Sequence, residues 1–340
     1  MVRGGVVRWR GRYGRGMAAA KAPGTDVHVG ERTIRVSNPD RVYFPELGLT
    51  KLGLVEYYLA VGAGIVNALR ERPCMLHRFP KGVGGDKVHQ KRVPGGAPPW
   101  IETVRLHFPR YGLHADELCV TELAQVIWAV QMSTVEFHPW NSRRADVERP
   151  DEWRIDLDPM PECPFATVRR VAGVVHEVLD ELGAVGWPKT SGGRGLHVYV
   201  RIPPSRGFTD VRRAALSFAR EVERRCATDS TTTWWRKDRD PAAVFIDYNQ
   251  NARDHTVAAA YSVRGLPDGR VSAPITWDEI ASVEPADLTV LTMPARFAAL
   301  GDLHAAIDGH EFPIEPLLDW AARDERDGAA EPGPPDPDDG

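Results

Sequence analysis

Trp153-Arg154-Ile155-Asp156-Leu157-Asp158-Pro159 sets two carboxylates two residues apart inside an apolar run. As a strand, it puts Asp156 and Asp158 on one face and Ile155 and Leu157 on the other. Carboxylates held side by side repel unless a cation lies between them. Hard divalent ions such as Mg²⁺ and Mn²⁺ take oxygen ligands of this kind. Pro159 offers no ladder donor and ends the strand. A lone Asp-x-Asp is more often a solvated strand face, so its neighbours carry the decision.

Downstream, Val168, Val171, Val174, Val175, Val178, Leu179 and Leu182 recur at helical spacing, and Gly183 ends that helix. Thr190-Ser191-Gly192-Gly193-Arg194-Gly195 then runs into a strand, Leu196-His197-Val198-Tyr199-Val200. Its glycines let backbone approach an anion, Ser191 and Arg194 add donors, and His197 stands where loop becomes strand. A plain hairpin turn would look similar. A second helix is expected from Thr209 to about Cys226, with Val211, Ala215, Phe218 and Val222 inward. Val244-Phe245-Ile246-Asp247-Tyr248 is another apolar strand carrying one carboxylate. Desolvating an unpaired Asp is costly, so Asp247 needs a partner: a core arginine, or a metal shared with Asp156 and Asp158. Short elements over 277–283 and 293–307 are expected to close the fold, and no internal repeat is visible.

Upstream, residues 25–40 predict a strand pair and a turn, Ser37-Asn38-Pro39-Asp40. Thr50 is placed to cap a helix with Leu52, Leu54, Val55 and Tyr58 on its buried side. Asn38, Arg41 and Lys51 cluster around these turns, where ordinary loop chemistry would also use them. From His77 to Arg92 the chain is basic (Arg78, Lys81, Lys87, Lys91, Arg92) and holds Gly82, Gly84 and Gly85. That composition predicts a mobile loop able to lie along phosphates. Residues 121–132 predict a helix, and Thr134 to His138 a strand.

At 340 residues, 42% hydrophobic and 26% charged, the chain can bury a large core as one domain or two joined ones. No apolar run reaches the roughly 18–20 residues of a membrane span. The first 16 residues carry five arginines and no apolar segment of the secretory kind. Residues 1–24 are therefore expected to be a basic disordered leader, with Met17 offering a second start. Cys74, Cys119, Cys163 and Cys226 are scattered, which argues against a disulfide framework or structural zinc and for a reducing cytoplasm. The net charge of −4 argues weakly against nucleic acid. Much of it lies in the last 20 residues, which hold seven acids and two bases, and 321–340 is expected to be an acidic disordered tail. The remaining domain, 25–320, is close to neutral and leaves room for a local basic face.

Three acids, a glycine loop with a histidine, and a basic stretch are what a nucleotidyl transferase needs: a two-metal centre, a triphosphate cradle and a surface for template and primer. The ordered motifs Asn38-Pro39-Asp40-Arg41-Val42, Asp156-Leu157-Asp158-Pro159, Ser191-Gly192-Gly193-Arg194-Gly195-Leu196-His197, Val244-Phe245-Ile246-Asp247 and Tyr261-Ser262-Val263-Arg264-Gly265 resemble the polymerase domain of bacterial non-homologous end-joining ligases (ligase D). That domain belongs to the archaeo-eukaryotic primase superfamily. The resemblance runs from about Val36 to Asp308, with no ligase or nuclease segment, as in a stand-alone relative.

The resemblance implies an α/β (α+β) fold of two abutting β-sheets flanked by helices, with the active site in the cleft between them. It implies primer extension or gap filling at DNA breaks, a preference for Mn²⁺ over Mg²⁺ with two ions per site, and ready use of ribonucleotides as well as dNTPs. Asp156, Asp158 and Asp247 would hold the metals. Ser191, Arg194, His197, His138, Gln250 and Arg264 would hold the NTP, with Arg78 counted beside them. Asn38, Arg41 and Lys51 would grip a 5′-phosphate across the gap, and Lys87, Lys91 and Arg92 would contact DNA. Ku and a separate DNA ligase are the implied partners, on cytoplasmic, nucleoid DNA. Arg194 stands where a lysine is usual, and Val88 and His89 fall where relatives carry an aromatic pair that stacks on template bases. Two alternatives share the motifs: a primase that needs no primer, and a non-catalytic DNA-end-binding module that recruits a ligase.

Overall fold

The computed structural model describes residues 23–109 and 112–329. The chain opens with a hairpin, β1 (Gly24–Val29) and β2 (Arg32–Ser37), whose Val29, Ile34 and Val36 are buried. A second small ribbon, β3 (Val42–Phe44) and β4 (Leu49–Thr50), leads into α1 (Lys51–Ala60) and α2 (Gly62–Leu69). The Thr50 hydroxyl caps α1 by accepting from Gly53 N–H at 3.2 Å. Leu54, Val55, Tyr57 and Tyr58 line its buried side, and Leu52 is half-buried.

Next come β5 (Pro73–Arg78), β6 (Val88–Gln90), β7 (Thr103–Phe108), β8 (Leu113–Cys119), α3 (Leu123–Gln131) and β9 (Thr134–Pro139). Five of them form one sheet: β6, β5, β8 and β7 in order, with β9 on the other edge of β5. The basic stretch from His77 is thus not one mobile loop. Its ends are strand, because residues 88–90 pair with 76–78.

After a short ribbon, β10 (Ser142–Arg143) and β11 (Asp146–Pro150), the chain enters β12 (Glu152–Pro159) and α4 (Phe165–Leu182). There follow β13 (Trp187–Thr190), β14 (Leu196–Arg201), α5 (Phe208–Arg225), β15 (Ser230–Thr231) and β16 (Val244–Ile246). The second sheet has the order β13-β14-β12-β16-β15, so β12 lies at its centre. Its apolar face carries Trp153, Ile155 and Leu157 under α4 and α5, and Trp153 meets Phe218 edge-on at 4.7 Å. Gly183 ends α4 at φ 68°, the left-handed conformation a side chain would resist. One continuous apolar core runs through both sheets and their helices.

The chain closes with α6 (Met293–Leu300) and α7 (Glu315–Arg326). The acidic tail expected over 321–340 is therefore corrected at its start: 321–326 is helix, packed on α5 with Ala321 and Asp324 buried. Counting acids hid the inward Leu317 and Ala321, which are one helical turn apart. The rest of that segment from 330, and residues 1–22 of the leader, lie outside the described residues. No single helix among the described residues is long and apolar enough to cross a membrane. The pair α1 and α2 is apolar but bent by 80°.

Candidate active site

The polar face of β12 carries a row of charges: Glu152, Arg154, Asp156 and Asp158. Its inner end is closed by arginines. Arg154 donates to Glu152 at 2.9 Å, and Arg72 holds Asp151 at 2.6 Å. Burial pushes the Glu152 carboxyl up, but Arg72, Arg154 and Arg201 outweigh it and hold the group down to about 2.

At the outer end the nearby cations are outweighed. Leu157 faces Ile246 across the β12–β16 ladder, and Asp247 N–H donates to the Asp156 carbonyl at 2.8 Å. Asp247 therefore lies just past the end of β16, beside Asp156. Burial drives the Asp156 carboxyl well above the usual range, and the charges of Asp247 and Asp158 add to it. Asp158 is raised by burial and by Asp247, against the pull of Arg236, Arg239 and Arg194. Asp247 is oriented by Asn249 N–H (3.0 Å) and by the Gln250 amide (2.8 Å). Three mutually repelling carboxylates at this end of the sheet offer the oxygen ligands that hard divalent cations take.

The glycine loop is the hairpin between β13 and β14, and it lies beside this end of β12. Ser191 Oγ accepts from Gly193 and Gly195 N–H, each at 3.1 Å, which shapes the turn. Gly192 sits at φ 69°, where a Cβ would lie 2.5 Å from the Arg264 side chain and 2.9 Å from Ser272 N. His197 is buried, with Nε2 3.4 Å from Asp156 Oδ1. Burial, followed by Lys189 and Arg264, keeps its imidazole neutral far below the ordinary histidine range. Arg264 reaches both parts of the site: Nη1 donates to Ser191 O at 2.6 Å, and Nε lies 3.4 Å from Glu136. Arg194 instead folds back on the chain after β12, donating to the carbonyls of Met160 (2.9 Å), Pro161 (3.0 Å) and Cys163 (3.3 Å).

Glu136, on β9, ties its own sheet to the 264–265 loop, a role the sequence alone did not point to. Its Oε1 accepts from Gly265 N–H at 2.7 Å, while Oε2 meets His77 Nδ1 at 2.9 Å and His138 Nε2 at 2.8 Å. Burial would raise this carboxyl, but the two histidines and Arg264 take it far below the usual range. Burial lowers His138 to about 3. His77, Glu136 and His138 bring one ligand atom each within 4.8 Å of one another, a donor set that could hold a metal. The two imidazoles stack at 3.7 Å and 29°, however, and both donate an N–H to the same ionised carboxylate oxygen, Glu136 Oε2. That arrangement orients His138 through hydrogen bonds.

Asn38, Arg41 and Lys51 are neighbours in the turns that lead into α1, linked through backbone hydrogen bonds. Asn38 takes φ 48°, which Asn tolerates, and its carbonyl accepts from Arg41 N–H at 3.1 Å. Lys51 N–H donates to Arg41 O at 2.8 Å, and Lys51 Nζ to Ser37 O at 3.0 Å. Burial lowers the Lys51 ammonium to about 8, with Arg41 and Arg78 adding to the effect. Arg78 thus makes itself felt at Lys51, its guanidinium held by Met132 O and Gln90. Of the DNA-contact candidates, Lys87 and Arg92 are exposed, and Lys91 Nζ sits 4.1 Å from the Phe108 ring centre. Val88 and His89 are exposed at the sheet edge, His89 standing edge-on to His77 at 4.5 Å.

Among known families, the LigD primase-polymerase domain matches residues 50–304. The multifunctional non-homologous end joining protein LigD of Pseudomonas aeruginosa is 32% identical over 299 residues, which are 87% of this chain and 34% of that protein. The LigD of Mycolicibacterium smegmatis is 30% identical over 306 residues, covering 88% of this chain and 39% of the relative. The chain thus spans between a third and two fifths of these relatives' length. Among solved structures, the polymerase domain of Mycobacterium tuberculosis ligase D in complex with DNA superposes with a TM-score of 0.76 at 27% identity, over 81% of this chain and 98% of that one.

Proposed function

The chain belongs to the LigD primase-polymerase domain family, and we propose that it extends a primer 3′-hydroxyl on a DNA template, filling gaps at DNA breaks. The observation that carries this is the grouping of Asp156, Asp158 and Asp247 at one end of the central strands, beside the Ser191–His197 turn. A nucleotidyl transfer uses both halves at once.

Asp156, Asp158 and Asp247 would hold two divalent ions, Mn²⁺ or Mg²⁺. When bound, these activate the attacking hydroxyl and neutralise the leaving diphosphate. Ser191, His197 and Arg264 face the triphosphate, Glu136 fixes His138 and Arg264 around it, and Gln250 keeps Asp247 aimed at the centre. Arg194 tethers the glycine turn to the end of β12, which sets the distance between cradle and carboxylates. Asn38, Arg41 and Lys51, with Arg78 close by, form the seat for the 5′-phosphate of the downstream strand. A terminal phosphate carries more charge than an internal one and rewards paired cations more. Lys87, Lys91 and Arg92 track the DNA backbone. Ribonucleotides and deoxynucleotides are both proposed substrates. Ku and a separate DNA ligase are the proposed partners, on nucleoid DNA in the cytoplasm.

The test is extension of a one-nucleotide gapped duplex with and without the downstream 5′-phosphate, in Mn²⁺ or Mg²⁺, with rNTPs or dNTPs. Extension stimulated by the phosphate and lost in Asp156→Ala is expected. Tight binding to the phosphorylated gap with no extension in any condition would replace the polymerase with an end-binding module. Extension without any primer would move priming forward.

A further inference from the structure

Tyr261 takes φ 66°, in the left-handed region that a bulky side chain resists. Among the described residues it is the one aromatic side chain held at positive φ. A residue stays in such a conformation only where its surroundings over-determine it, and these residues gather at functional sites.

The surroundings of Tyr261 are a socket. The buried ring lies against α2 and α6: a Cβ on Gly64 would lie 2.4 Å from its Cε2, and Phe297 meets it edge-on at 5.2 Å. Its hydroxyl donates to Asp302 Oδ1 at 2.9 Å and accepts from Leu303 N–H at 3.2 Å. Asp302 is itself fixed, by Asn67 Nδ2 and by His304 N–H, each at 2.9 Å. The backbone is gripped too. Tyr261 N–H donates to Ser272 O at 2.8 Å, and its carbonyl accepts from the Tyr57 hydroxyl of α1 at 2.8 Å.

What the socket serves lies three residues on. Ser262 Oγ accepts from Phe137 N–H at 3.0 Å, Val263 N–H donates to the Tyr58 hydroxyl at 3.1 Å, and Arg264 N–H donates to Arg270 O at 2.8 Å. Each bond carries the path set at Tyr261 onward to Arg264. There the side chain crosses the glycine turn with little room, since a Cβ on Gly192 would lie 2.5 Å from Arg264 Cγ. Nη1 donates to Ser191 O at 2.6 Å, while the buried Nε has no hydrogen bond among the described residues. A guanidinium is a rigid fork of five donors, so a small shift of its backbone misaims all of them.

We infer that Tyr261 is a positioning residue: its left-handed backbone, locked by the hydroxyl on Asp302, sets Arg264 over the glycine turn to meet a phosphate of the nucleotide. Without the lock the residue relaxes towards negative φ, and the arginine moves with it. The inference rests on the polymerase reading for the identity of the ligand, but not for the placement of Arg264.

The experiment compares Tyr261→Phe with the native chain in extension of a gapped duplex, using UTP and Mn²⁺. The variant keeps the ring and loses the hydroxyl. Its KM should rise about five- to tenfold, with kcat within about twofold. Asp302→Ala should do the same, whereas Asp302→Asn keeps an oxygen for the hydroxyl and should stay within about twofold of the native KM. Because Tyr261 acts through Arg264, adding Tyr261→Phe to Arg264→Ala should cost nothing further. A folded Tyr261→Phe with native KM would overturn the inference, and so would an effect fully additive with Arg264→Ala. Should Tyr261→Phe fail to fold, the two Asp302 variants and their cycle with Arg264→Ala decide. If the chain extends no primer, crystal structures of the native protein and Tyr261→Phe decide. A lengthened Arg264–Ser191 contact in the variant supports the inference and an unchanged one overturns it, so it fails separately from the polymerase reading.

Discussion

Asp247 and Asp156 are joined by a backbone hydrogen bond of 2.8 Å while their side-chain charges oppose each other. The ladder that fixes β16 against β12 thus forces together groups that electrostatics would separate. Among the described residues Asp156 makes no ion pair with a lysine or arginine; its near neighbour is a neutral histidine. The fold stores that repulsion, which a divalent cation bound there would release.

Replacing Asp156 should therefore stabilise the protein while ending its activity. The folded-state pKa of Asp156 is raised, so its ionisation costs stability as pH climbs above the ordinary carboxyl value. Asp156→Asn is expected to gain about 1–2 kcal/mol near neutral pH and to lose at least ~10³-fold in extension rate. Mn²⁺ should raise the Tm of the native chain and leave that of the variant nearly unchanged. Thermal melts with and without Mn²⁺ check both. A variant less stable than the native chain would show that no repulsion is stored.

The 5′-phosphate seat should have its own pH dependence. Lys51 is lowered to about 8 in the free protein, so it is cationic at neutral pH and loses its charge as pH rises through that value. A phosphate that needs the ammonium should then bind about tenfold more weakly per pH unit, until the pKa of the complex is passed. The ratio of gap filling with and without the 5′-phosphate, followed from about pH 7 to 9.5, isolates this from the chemistry. Lys51→Arg should flatten the profile, because arginine stays charged. A native ratio that does not move with pH would remove Lys51 from the seat.

Much of this was legible in the chain because strand periodicity and polar punctuation coincide. Asp156 and Asp158 on one face, the Gly183 stop and the Thr50 cap all follow from local rules. Glu136 and Lys189 were not legible. A glutamate before Phe137-His138 or a lysine between Pro188 and Thr190 reads as a solvated strand residue. Its partners include residues of the 258–272 stretch, far away in sequence. Arg194 misled in the opposite way. It sits in the right loop, but carbonyls of the segment after β12 capture its guanidinium. Helix α7 was hidden by its own charges.

The glycines of the turn are not equivalent. A Cβ on Gly195 would lie 2.1 Å from the Leu157 carbonyl oxygen, which is backbone of β12 and cannot move without shifting Asp156 and Asp158. On Gly193 the nearest contact is Ser191 Oγ at 3.4 Å, an ordinary distance. Gly195→Ala should cost about 3 kcal/mol or more and abolish extension, whereas Gly193→Ala should stay within about 1 kcal/mol. Urea unfolding of the two variants tests the contrast. Equal losses would mean that the turn, not its approach to β12, is what matters.

Glu117 on β8 has no exposed surface, and neither carboxylate oxygen has a well-formed hydrogen bond among the described residues, with Trp140 the weak partner nearby. Burial raises it from 4.5 to about 8; Lys91 pulls it back and Asp254 pushes it further. The sign of the pH effect follows. Above about 4.5 the unfolded chain releases this proton while the folded chain keeps it up to about 8. Across that window the native state binds more protons, so its stability falls as pH rises. The full span corresponds to a loss on the order of 4 kcal/mol. Glu117→Gln keeps the shape and cannot ionise. Its stability should match the native chain near pH 4.5 and exceed it increasingly towards pH 8.5, as read from urea midpoints at both ends. Parallel pH curves for the two proteins would mean that Glu117 ionises freely and has a partner in solution.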